Sequence, residues 1–252
     1  MKASPLSWAY MGLGGNVGDT VDLFLNTLGQ LDTHPDIRVI SVASLFKSIA
    51  WHPEAHTPMT WGSIPREADS HHLSSHTPLW FLNTGILLRT ALTPQALLSY
   101  ALAIEAALGR IRIPHVSKAE LQAMQRPIDI DLWLYAPVDT PTAWLSLQDP
   151  LCRLPHPHIM KRPFVLAPLA ELLKHQGIWY PEGIPLIDDA LFSCPDTREK
   201  LWYTTDIPSK YPQGAIPLEV SPTCPLMPYQ DTRWQTYIDS LMTCSPYSLT
   251  SR

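Results

Sequence analysis

Asp129 and Asp131 stand two residues apart in an otherwise apolar run, Ile128-Asp129-Ile130-Asp131-Leu132-Trp133-Leu134-Tyr135. Successive side chains of a β-strand point to opposite faces. The run therefore predicts a strand with both carboxylates on one face and Ile128, Ile130 and Leu132 on the other. Neighbouring carboxylates repel, and a central strand does not bury them unpaired. Magnesium bound to nucleotide phosphates is one solution, because it takes carboxylate oxygens and keeps phosphate oxygens and waters. A solvated strand face paired with lysine or arginine is the other.

The rest of the chain supplies partners for that strand. Trp8–Leu13 and Phe81–Leu88 read as buried strands, and Ile37–Phe46 as a half-buried one. Asp19 caps a helix with Val21, Leu23, Phe24, Leu28 and Leu31 at helical spacing, and Thr93-Pro94 opens a second that Gly109 closes. Arg162–Leu173 predicts a short helix. The order strand, helix, strand, strand, helix, strand is that of a ferredoxin-like α+β sandwich, a mainly antiparallel sheet with helices packed on it. Residues 52–79 lack periodicity and read as a long inserted loop; 1–193 form the domain and 194–252 an extension in which only Trp234–Met242 looks helical.

Net charge of −5 argues against a general nucleic-acid binder, and no apolar run is long enough to cross a membrane. Cys152, Cys194, Cys224 and Cys244 lie far apart without a C-x-x-C pair, which suits reduced cytoplasmic thiols.

Three further segments carry chemistry. Gly12-Leu13-Gly14-Gly15-Asn16-Val17-Gly18-Asp19 lets the backbone approach a ligand or a neighbouring helix closely, but Val17 breaks a dinucleotide fingerprint and no Gly-Lys-Ser/Thr follows. Arg110, Arg112, Lys118 and Arg126 form a basic cluster, and arginine forks suit phosphate oxygens; a cationic helix end explains Arg110 equally. His156 is held between Pro155 and Pro157, ahead of His158 and the Lys161-Arg162 pair. The loop histidines His52, His56, His71, His72 and His76 lack the helical spacing of a zinc site.

Taken in order, AYMGLGGNVGD, FLNTGILLRTALTPQALL, AIEAALGRIR, RPIDIDLWLY and LPHPHIMKRPFVLAPLAEL resemble the 6-hydroxymethyl-7,8-dihydropterin pyrophosphokinase family over about residues 8–190. The resemblance implies transfer of diphosphate from ATP to a pterin alcohol in folate biosynthesis, with release of AMP. It implies that Asp129 and Asp131 hold two magnesium ions. It places Phe81, Asn83 and Phe164, with the backbone at Gly14 and Ser48, on the pterin. It places Glu105, Arg110, Arg112, His156 and Arg162 on the ATP side, and Arg112 and Arg126 among the catalytic residues. A functional link to dihydropteroate synthase follows, since the two enzymes are sometimes fused. The lengthened loop 52–79, the insertion between Arg112 and Arg126, Ile49-Ala50-Trp51 in place of a proline-rich turn, Leu102 in place of a polar residue and a missing Trp-Gly-Pro element depart from the family. The competing reading is a pterin or nucleotide binder without catalysis. The C-terminal extension is a linker, the stub of a fusion to dihydropteroate synthase, or a segment packed on the core through Trp202, Tyr203, Tyr229 and Trp234.

Overall fold

The computed structural model describes residues 5–49, 80–111, 126–141, 143–157, 159, 162–175 and 226–243. Strand β1 (Ser7–Gly15) runs through the glycines. Helix α1 (Thr20–Thr33) starts at Asp19, whose carboxylate accepts from the Asp22 N–H at 3.1 Å, and it buries Val21, Phe24, Leu28 and Leu31. Helix α2 (Pro94–Ala107) starts at Thr93, whose hydroxyl accepts from the Ala96 N–H at 3.3 Å. It stops at Gly109, whose φ of 90° is a conformation that side-chain-bearing residues avoid.

The segment Ile37–Phe46, expected as one strand, is two: β2 (Ile37–Val42) and β3 (Leu45–Ile49). The break is held from outside. Ser44 donates through its N–H (3.0 Å) and hydroxyl (2.9 Å) to Glu171, while the Thr84 hydroxyl donates to the Ala43 and Ser44 carbonyls.

Both halves pair with β4 (Trp80–Thr90), β4 pairs with β1, and β1 with β5 (Asp129–Pro137), all antiparallel. With β2 and β3 taken as one broken strand, this is the ferredoxin-like α+β sandwich. A short hairpin, β6 (Leu147–Gln148) and β7 (Arg153–Leu154), precedes α3 (Pro163–His175).

The sheet has two unlike faces. On one, Ala9, Met11, Leu13, Ile128, Ile130 and Leu132 form a core with α1 and α2. On the other, Tyr10, Leu87, Trp133 and Leu134 meet Val165, Leu169 and Leu172 of α3. Gly85 makes this close approach possible, because a Cβ there would lie 2.9 Å from Leu172 and 3.2 Å from Pro168.

Strand β8 (Leu226–Tyr229) pairs with β3, and α4 (Thr232–Thr243) inserts Trp234, only 3% exposed, into the first core. Tyr229 is 39% exposed; Trp202 and Tyr203 lie outside the described residues, as does the 52–79 loop with its histidines. Cys152 is buried and free, and the other three cysteines are outside the described residues. No described helix is long and apolar enough to cross a membrane.

Candidate functional site

The second face of the sheet opens, beside the start of α3, into a cleft. Gly12, Leu13, Gly14, Ser48, Phe81, Asn83, Arg126, Asp129, Asp131, Trp133, Arg162, Phe164 and Val165 line it. The period-two pattern of β5 does the placing: Asp129 and Asp131 face the cleft while Ile128, Ile130 and Leu132 are buried at 4% exposure or less. Each carboxylate sits across from a glycine of β1, Asp129 from Gly14 and Asp131 from Gly12.

These glycines make room for neighbouring side chains. A Cβ on Gly12 would lie 2.2 Å from the Trp133 indole, and one on Gly14 3.3 Å from the Asn83 amide oxygen. Trp133 reaches this position because it is the extra residue of a β-bulge: Tyr10 pairs with Leu134 but Met11 with Leu132.

One wall of the cleft is an acid and arginine cluster. Arg110 Nη1 donates to Asp129 Oδ1 and to Glu105 Oε1, and Arg126 Nη1 donates to Asp129 Oδ2. Glu105, 1% exposed, also accepts the Ile130 N–H at 2.7 Å, which ties the end of α2 to the acidic strand. Arg162 Nη1 stands 3.9 Å from Asp131 Oδ2. Among the described residues, three carboxylates thus face three guanidiniums, Glu105, Asp129 and Asp131 against Arg110, Arg126 and Arg162. A polyphosphate entering this balanced cluster needs compensating cations.

The two aspartates titrate in opposite directions. Burial pushes Asp129 up, but Arg110 and Arg126 outweigh it and hold its carboxyl below the ordinary range. Burial, then the Asp129 charge, pushes Asp131 up to about 6. Its side chain keeps 38% exposure, so solvent tempers that rise. Asp131 is therefore the carboxylate of the pair that most lacks positive charge. Its oxygens, beside those of Asp129, suit a hard divalent cation. Burial and the Arg162 charge push His156 down to about 4, so it is a neutral imidazole near pH 7.

Beside this cluster the cleft is lined by aromatic rings and fixed polar groups. Phe81 and Phe164 carry guanidiniums over their rings, Arg126 at 5.7 Å and Arg162 at 5.8 Å. Asn83 Nδ2 donates to Ser48 Oγ at 3.0 Å, which fixes the amide.

The structure thus gathers Gly14, Ser48, Phe81, Asn83, Arg126, Asp129, Asp131, Arg162 and Phe164 around one cleft, with Glu105 and Arg110 behind Asp129. Arg112, Lys118, His158 and Lys161 lie outside the described residues. Two contributors carry no role in the sequence reading. Trp133 floors the cleft. Asn16 grips Arg126 by its backbone: Asn16 N–H donates to the Arg126 carbonyl at 3.0 Å and Arg126 N–H to Asn16 Oδ1 at 2.8 Å. Its place in the glycine-rich loop was the one available signal.

Comparison with known proteins gives the chain's family. The family model described as 7,8-dihydro-6-hydroxymethylpterin-pyrophosphokinase (HPPK) matches residues 10–174. The chain is 34% identical to the 2-amino-4-hydroxy-6-hydroxymethyldihydropteridine pyrophosphokinase of Methylorubrum extorquens over 164 residues, 65% of this chain and 81% of that one. It is 30% identical to the protein of the same name from Synechocystis sp. over 164 residues, 65% of each chain. Among solved structures, Plasmodium falciparum HPPK-DHPS wild type with pterin and p-hydroxybenzoate aligns at a TM-score of 0.45 and 13% identity, over 79% of this chain and 46% of that one.

Proposed function

The chain belongs to the 7,8-dihydro-6-hydroxymethylpterin-pyrophosphokinase (HPPK) family, and on that premise we propose that it transfers diphosphate from ATP to 6-hydroxymethyl-7,8-dihydropterin in folate biosynthesis. One observation carries the reading: the paired carboxylates and the aromatic slot share a single cleft, so a phosphate chain and a flat heterocycle can meet there.

The pterin ring lies between Phe81 and Phe164, its amide edge on Asn83, which Ser48 holds in place. Its alcohol oxygen then points at Asp129 and Asp131. That oxygen bonds to the β-phosphorus, the bridge to the α-phosphate breaks, AMP leaves and the alcohol proton passes to solvent. Positioning and charge neutralisation carry most of such a transfer, and no side chain is assigned as a base.

The donor set fits magnesium: Asp129 and Asp131 offer adjacent oxygens, and Asp131 is short of positive charge. Asp129 and Asp131 would hold such ions, two on the family resemblance, which would supply cationic charge to neutralise the phosphate chain. Arg110 and Arg126 share Asp129 in this structure. A cation held on that carboxylate would leave their forks to phosphate oxygens, with Arg162 beside them and Arg112 proposed for the same role on the family resemblance alone. Neutral His156 acts as a hydrogen-bonding group on the ATP side rather than as a cation. A cytoplasmic setting supplies the ATP, and the pterin diphosphate links this step to dihydropteroate synthase.

Product analysis with ATP, magnesium and the pterin tests this. AMP and a pterin diphosphate, absent from Asp129→Ala and Asp131→Ala, are expected. ADP as the product would overturn the diphosphate transfer, and bound pterin with no nucleotide turnover would make the protein a binder.

A further inference from the structure

The family match ends at residue 174, yet the sheet does not. β8 lies alongside β3 from Leu45↔Tyr229 to Ser48↔Leu226, so β3 is flanked on both sides, by β4 and by β8. Just past β8, Asp231 starts the next helix, its carboxylate accepting the Arg233 N–H at 2.9 Å.

Three grips follow within a few residues. Arg233 reaches across to Asp19, with Nη1 2.7 Å from Oδ2 and Nη2 3.1 Å from Oδ1, while also bridging Asp231 at 2.9 Å. Asp19 is the cap where the glycine-rich loop turns into α1. Trp234 donates its indole N–H to the Ala43 carbonyl at 3.0 Å and packs edge-on to Phe24, centroids 6.0 Å apart. Ala43 is the break between β2 and β3. Finally, Lys47 sets its ammonium 5.6 Å from the Tyr229 ring and 5.8 Å from the Trp80 ring.

All three grips fall on elements that lead to the proposed pterin contacts. The end of β1, which leads into the Asp19 cap, carries Gly14, β3 carries Ser48, and Ser48 fixes Asn83. Most phosphate-side groups sit elsewhere, at the end of α2, in β5 and at the start of α3; Arg126 is the one tied to the segment before Asp19, through Asn16. An edge strand paired on one side only is held more loosely than one paired on both.

We propose that residues 226–243 form a strap that sets the pterin half of the cleft, with Arg233 and Trp234 as positioning residues. The strap clamps β3 and the cap of α1, and so holds Ser48, Asn83 and Gly14 in register. This rests on the pterin reading given above.

Two variants of the full chain test it without removing the segment. Trp234→Phe keeps a ring and loses the N–H, and Arg233→Ala loses the bridge to Asp19. Affinities for 6-hydroxymethyl-7,8-dihydropterin and for a non-hydrolysable ATP analogue are measured by titration, with thermal melting as a check that each variant folds. Pterin affinity is expected to fall about three- to ten-fold, the analogue's affinity to stay within about two-fold, and Arg233→Lys to recover part of the loss. Unchanged pterin affinity in both variants overturns the strap's role, as does a parallel loss of both ligands, which marks general loosening. A wild-type chain that binds no pterin sinks the functional reading instead, and the strap's role with it.

Discussion

The two faces of β5 are made from alternate residues of one strand and do opposite work. Ile128, Ile130 and Leu132 are shut into a core by α1 and α2. Asp129, Asp131 and Trp133, their immediate neighbours, line a cleft beside α3. The first face stabilises by removing apolar surface from water. The second gathers charge at a cost, held in check by arginines from three separate segments. Stability and chemistry are thus interleaved at single-residue spacing, and substitutions one position apart should separate them.

The largest effect is expected on activity. Asp131→Ala should lower kcat/KM at least about a hundredfold in a steady-state assay, with melting temperature equal to or above wild type, because the charge removed is one that Asp129 repels. A large fall in melting temperature would break the division of labour between the faces. Ile130→Ala should do the reverse: a cost of about 2–5 kcal/mol in denaturant unfolding, with pterin affinity retained at temperatures where the variant is folded.

The glycines of β1 sharpen the contrast within the cleft itself. Gly12→Ala would drive a methyl group into the Trp133 indole, 2.2 Å away, and should cost about 1–3 kcal/mol of stability. Gly14→Ala comes nearest to the Asn83 amide oxygen, at 3.3 Å. It should leave melting nearly unchanged and weaken pterin binding; equal melting losses in both would show that the cleft floor is not packed as described.

The smallest effect concerns pH. Asp131 ionises near 3.8 when unfolded and near 6 when folded, so the folded state holds a proton the unfolded state has lost. Its contribution therefore falls as pH rises from about 4 to about 6 and stays low above that. Without metal, Asp131→Asn should flatten that part of the stability curve relative to wild type, and an unaltered curve would remove Asp131 as its source.

What could be read in advance was what short spacing encodes. The alternation in Ile128–Tyr135 gives the orientation of both aspartates, and Asp19, Thr93 and Gly109 mark helix ends by local chemistry. What could not be read depends on distant partners. The break at Ala43-Ser44 is imposed by Glu171, and the docking of Trp234 by a carbonyl 191 positions earlier. Asn16 stood inside a motif noted for its glycines, but its hold on Arg126 spans 110 positions. The charge state of His156 was equally hidden, because burial against Arg162 sets it.

The bulge at Trp133 acts as a phase shift in the strand. Up to that residue odd positions point into the cleft; beyond it Leu134 takes up that side and Tyr135 joins the opposite core. The half of the strand that bears the acids is thereby decoupled from the half that anchors it. Packing beyond the bulge can drift in sequence, or absorb a compensating change of parity, while both carboxylates keep their aim.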